Sequence, residues 1–137
     1  MGSSWTPTCD RGDVLVDGLV KAVGYLAVVA LLCFEIVAVG VNIVQLDELA
    51  GDVARGAAGT LPATANTTIL QAVAEQHIRG ALTARPEVLV KDVGVDVAGE
   101  VRVTLARAPR TAVLRHVPPL AARLPQTVTA TGRPPRL

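Results

Sequence analysis

The sequence predicts an α+β chain: one long N-terminal transmembrane helix, followed by a small domain with a second helix and a short antiparallel sheet. Three observations carry this. Residues 22–44 read "AVGYLAVVALLCFEIVAVGVNIV", an apolar run interrupted only by Glu35 and Asn42. Residues 69–82 place apolar side chains at helical intervals, and residues 93–105 hold two valine-rich segments that alternate with other residues. Half of the 137 residues are apolar but only 2% are aromatic, and the mean hydropathy of +0.44 is high for a domain that meets water on all sides.

The long helix rests on an insertion balance. Thirteen positions in residues 22–44 are Val, Leu, Ile or Phe. Each favours insertion by roughly 0.3–0.6 kcal/mol, so together about 5 kcal/mol, against about 3 kcal/mol for a central charge such as Glu35. A chain this small has too little other apolar surface to wrap such a helix on every side, which argues against a buried soluble helix. Arg11 and Lys21 lie on the N-terminal side of the run, whereas Asp47, Glu48 and Asp52 follow it. Basic residues stay on the cytoplasmic side, so the N-terminus is expected inside and the C-terminal domain outside. The polar first twelve residues and the length of the run do not fit a conventional secretory signal.

Beyond the run, helical composition continues to about residue 58, where Gly59 and Pro62 mark a stop. A second helix is expected to start near Thr68, with capping-box spacing to Gln71, and to close before Pro86. Asn66 is expected as a helix cap. Val93, Val95 and Val97 fall on one side of one strand, and Val101, Val103 and Leu105 on one side of the next. The intervening "AGE" of residues 98–100 predicts a hairpin. A short helical piece is expected at residues 111–117, ended by Pro118 and Pro119, then a third strand at 126–131 and a loose tail.

Charge and reactive residues exclude more than they select. Net charge is +1, yet from Val101 onward there are seven arginines and no acid. A solvated basic face is the plainer reading, and contact with anionic headgroups or envelope polymers the sharper one. With so few aromatics to stack on bases, no nucleic-acid partner is expected. Cys9 lies in the polar N-terminus and Cys33 in the apolar run, so both are expected as free thiols. His77 and His116 are isolated, and no other ligand stands at metal spacing, so no metal site and no cofactor are expected. The only serines are Ser3 and Ser4, and no phosphate-binding loop is present. The chain is expected not to be an enzyme.

The stretch "DRGDVLVD" at residues 10–17 sits at the mouth of the apolar run. Asp17 and Lys21 are four residues apart in the favourable acid-then-base order for an internal pair. Asp17 and Glu35 are eighteen residues apart, about five helical turns, which predicts that both carboxylates face the same way. Acids on a lipid-facing helix need partners.

"RGDVLVD" resembles the processing site of type IV pilin-like proteins, in which a prepilin peptidase cuts after a glycine that follows a basic residue. A carboxylate then stands at the fifth position of the mature chain. The resemblance implies a cut between Gly12 and Asp13 and gives Asp17 that fifth place, where the family usually carries Glu. Residues 31–59, "LLCFEIVAVGVNIVQLDELAGDVARGAAG", look like the end of the N-terminal segment of TadE/TadF-like minor pilins, with Glu35 and "DVARGAA" in the matching places. It covers the first sixty residues well and the remainder in outline. It implies a pilin-like fold in three parts: a cleaved cytoplasmic leader at 1–12, a long helix at 13–58 that spans the membrane at about 22–44, and an extracytoplasmic α+β domain at 59–137. It further implies a minor pilin or pseudopilin of a bacterial Tad-type pilus or related secretion filament. The implied partners are the prepilin peptidase, other pilin subunits with their assembly machinery, and membrane lipid. Asp17 and Glu35 become assembly carboxylates, with Lys21 or a neighbour's new N-terminal ammonium as the partner of Asp17. The residues alone also allow an uncleaved, single-pass interaction module with a basic outer domain.

Overall fold

The computed structural model describes Gly2 and residues 10–136. Helix α1 (Asp10–Thr60) is followed by α2 (Thr67–Ala81), strands β1 (Leu89–Val95) and β2 (Val101–Arg107), a single 3-10 turn at Leu114–His116, a one-turn helix α3 (Pro118–Ala121) and strand β3 (Gln126–Gly132). The layout is the expected α+β one: one long apolar N-terminal helix, a second helix and a three-stranded antiparallel sheet. The chain divides into two compact units, with the boundary inside α1 between Ile36 and Val37.

In the first unit, α1 is apolar around its whole circumference over residues 22–34, and every residue from 12 to 34 is exposed. Its helical stretch is long and apolar enough to cross a membrane. No proline interrupts α1, so its backbone bonds are satisfied within the helix, as a lipid environment requires. Gly12 and Asp13 lie in its first turns, because the helix begins at Asp10 rather than at residue 13. Cys33 is a free, exposed thiol, while Cys9 lies outside the described residues.

In the second unit, residues 37–60 of α1 form the spine of a small domain. Asn42, Leu46, Ala50, Val53, Ala54, Ala57 and Ala58 are buried, each three or four residues from another of the set, which keeps them on one helical face. Thr60 ends the helix by donating its hydroxyl to Ala57 O at 2.8 Å. Asn66 then caps α2, its side chain accepting from Thr68 N at 2.7 Å, so the cap lies two residues before the expected Thr68–Gln71 box. Gln71 instead donates to Val93 O at 3.3 Å and ties α2 to β1. Helix α2 adds Leu70, Ala74 and Ile78 to the buried residues, four apart and therefore on one face.

The sheet order is β1-β2-β3, antiparallel throughout. Central β2 supplies Val101, Val103 and Leu105, all fully buried, as its alternation predicts. The hairpin differs from expectation. Strand β1 begins at Leu89, with a register shift between Val90 and Asp92, and ends at Val95. Val97 is therefore not a strand residue but sits in the turn, 84% exposed. That turn closes through Gly99 N to Asp96 O at 2.9 Å and Asp96 N to Glu100 O at 3.0 Å, with Gly99 at φ +76°. Asp96 stabilises the turn by accepting from Val97 N, and Gly99 takes the left-handed position that a side chain would strain.

Two further corrections concern the C-terminal part. The expected helical piece is a single 3-10 turn at Leu114–His116 that stops before Pro118, but Pro118 and Pro119 also start α3, because proline is favoured in a helix's first turn, where its missing N–H has no partner to lose. The chain after β3 is also less loose than expected. Arg133 Nε donates to Glu100 at 3.0 Å, and Gly132 lies against the main chain of α1. A Cβ at Gly132 would fall 2.2 Å from Ala54 C and 2.5 Å from Arg55 N, so only glycine lets β3 come this close.

These contacts fix the direction of the strands. Gly132, at the end of β3, touches α1 at Ala54, while Gln126, at its start, bonds Asn42. Twelve helical residues span about 18 Å, close to the roughly 20 Å of a seven-residue strand. Strand β3 therefore runs along α1 in the same direction, and β2 runs back.

Candidate anchoring and assembly surface

The residues singled out by the sequence do not gather into one site. Asp17 and Lys21 form an exposed ion pair one helical turn apart, Lys21 Nζ to Asp17 Oδ2 at 2.7 Å. The internal partner that the i to i+4 spacing allowed is therefore engaged. Gly12 and Asp13 are exposed in the same end of α1, and the preceding residues 3–9 lie outside the described residues.

Glu35 behaves differently from Asp17. It is 1% exposed, and so is the most deeply buried charged side chain among the described residues. The shared lipid-facing stripe expected for the two carboxylates is thus not present in the single chain. Helical phase sets the direction of a side chain, but what covers the helix at that level sets its burial.

One polar cluster was marked in the sequence only as an interruption of the apolar run. Asn42 is 5% exposed, and its side-chain amide donates to Gln126 Oε1 at 2.8 Å and to Arg107 O at 3.3 Å. Arg107 Nε donates back to Asn42 Oδ1, and its Nη2 reaches Gln45 Oε1 at 3.2 Å. The cluster joins α1 to the end of β2 and the start of β3. It also gives a reason for a buried amide in an apolar stretch, since a buried polar group is retained where its bonds are made. An Asn in such a run, with an Arg and a Gln at the facing strand ends, was the only sign in the sequence.

The remaining polar groups read as structural. His77 is half-buried and packs over Gly56, where a Cβ would lie 3.1 Å from His77 Nε2. His116 is exposed, with Nδ1 2.9 Å from Ala112 O. Ion pairs Asp52–Arg55 and Glu75–Arg79 lie one turn apart along α1 and α2, on exposed faces. The groove between α2 and β1 is lined by Gln71, Glu75, Arg79, Lys91 and Asp92, a mixture of signs that selects no one ligand charge. Among the described residues no three His, Cys, Asp or Glu side chains gather as a metal site.

What the surface offers is apolar area. Beyond the first unit, Val37, Val41, Ile43 and Val44 remain exposed on α1 while Asn42 and Leu46 face the domain. Gln45, Asp47 and Glu48 then turn the exposed side polar. The apolar exterior of α1 thus reaches Val44, and residues 22–44 rise about 33 Å, enough for a hydrocarbon core of about 30 Å. No family model, no curated protein and no solved structure matches the chain.

Proposed function

We propose that the chain is a TadE/TadF-like minor pilin, made as a membrane-anchored precursor with its N-terminus in the cytoplasm. A prepilin peptidase would cut it between Gly12 and Asp13, and it would join a Tad-type pilus or related envelope filament through α1. One observation carries the reading. A single helix is apolar on all sides over residues 22–34 and serves as the spine of a small α+β unit over residues 37–60. A subunit that is first stored in lipid and then packed helix against helix needs the former, and one that displays a folded domain needs the latter. The "RGDVLVD" pattern adds the processing step.

A second reading is favoured by the Asp17–Lys21 pair, which satisfies the carboxylate without a neighbouring subunit. Under it the chain is an uncleaved, single-pass interaction module. The intact mass of the protein purified from membranes, with and without a co-expressed prepilin peptidase, separates the two. Peptidase-dependent loss of residues 1–12 supports the pilin reading, and a full-length chain from its native host overturns it.

A further inference from the structure

We propose that the connection between β2 and β3, residues 108–125, is a second membrane contact that seats on anionic lipid headgroups beside the end of the α1 apolar stretch. The inference rests on α1 spanning the membrane, but not on cleavage or filament assembly.

Position comes first. Asn42 holds both ends of this connection, through Arg107 on one side and Gln126 on the other. Asn42 lies two residues inside the last apolar residue of the run, Val44. Strand β2 runs toward the N-terminal side of this part of α1, so the connection leaves the sheet at the level where exposed Val37, Val41, Ile43 and Val44 require an apolar surrounding. Residues 22–42 rise about 30 Å, so a hydrocarbon core that begins near residue 22 ends near Asn42 and brings its headgroup layer to the connection.

Composition then fits that layer. Val113 and Leu120 are 40% and 44% exposed, and Pro118 and Pro119 are exposed between them. Arg110, Arg115 and Arg123 are exposed, and none has a carboxylate partner among the described residues. No acid occurs from Val101 to the C-terminus. Apolar side chains that dip into the headgroup and acyl boundary, flanked by cations for lipid phosphates, are the chemistry of interfacial segments. The far end of the same domain contrasts with this: the turn at residues 96–100 carries Asp96 and Glu100.

The test uses the full chain in vesicles, in a background with Cys9→Ser and Cys33→Ser. An environment-sensitive fluorophore is placed singly at Leu26→Cys, Val97→Cys or Leu120→Cys and quenched by lipids labelled at graded depths. Vesicles of phosphatidylcholine alone are compared with vesicles containing phosphatidylglycerol. The expected result is deep quenching at position 26, none at 97, and shallow quenching at 120 that strengthens with the anionic lipid. Replacing Arg110, Arg115 and Arg123 by Gln should weaken the anionic component at 120 by about fivefold per arginine. A label at 120 as water-exposed as the one at 97, with 26 quenched, overturns the second contact while leaving the span intact. Equal quenching at 120 in both vesicle types overturns the headgroup-charge assignment. An unquenched label at 26 overturns the span and the inference with it.

Discussion

The two parts of α1 share a helix and little else. Over residues 12–34 every side chain is exposed, and added Cβ atoms at Gly12, Gly18 and Gly24 would meet nothing within 4 Å. Over residues 37–60 one face is alanine and leucine at no exposure, and a glycine of β3 touches the main chain. The lesson is that helix composition alone does not say what covers a helix. Large Val, Leu and Phe side chains all round suit a fluid surrounding that adapts to any shape. Small Ala residues in a stripe suit a fixed partner that must come close, as Ala50, Ala54, Ala57 and Ala58 do against the sheet and α2.

This contrast can be broken most forcefully at the closest approach. Gly132→Val drives a side chain into the α1 backbone, which cannot move aside as a flexible side chain would. A loss of about 3 kcal/mol or more is expected in thermal or denaturant unfolding of the detergent-solubilised chain. Gly24→Ala, in the exposed part, is expected to leave that unfolding unchanged.

The next largest effect is a cavity in the packed part. Ile78→Ala removes most of a fully buried side chain and should cost about 2–5 kcal/mol. Leu26→Ala should leave domain unfolding alone and instead reduce membrane retention, read by carbonate extraction. If both variants shift unfolding equally, the division of α1 is wrong.

Smaller again is Asn42→Ala. It leaves the Arg107 carbonyl and the Gln126 side chain without their amide donor, with an expected cost of about 1–3 kcal/mol by denaturant unfolding. Lys21→Gln should have the least effect. Its pair with Asp17 is exposed on both sides, so less than about 1 kcal/mol is expected from its loss, measured in the same way.

Much of the fold was legible because its strongest patterns are local. The apolar run gave α1, the Ile and Leu spacing gave α2, and the alternation of Val101, Val103 and Leu105 gave β2. The valine alternation predicts a start of β1 four residues too late, because Lys91 and Asp92 sit at a bulge on an edge strand, where polar side chains face water and break the alternation. Pro118 and Pro119 both follow the end of one helical turn and begin another, and sequence alone shows only the stop. The Asp17–Lys21 spacing was readable as a pair because both partners lie within one turn. The Asn42–Arg107–Gln126 cluster and the Gly132 approach were not, since each joins residues more than sixty positions apart and depends on the tertiary path. The burial of Glu35 was hidden for a related reason, because helical phase predicts direction and not coverage.

The central claim is that residues 22–34 of α1 face lipid, and Cys33 offers a native probe inside that stretch. A membrane-impermeant maleimide would be applied to intact membranes in a Cys9→Ser background, beside a variant that adds Val97→Cys. The account predicts rapid labelling at position 97 and none at Cys33 until the membrane is dissolved in denaturing detergent. Labelling of Cys33 in intact membranes as fast as at position 97 would contradict it.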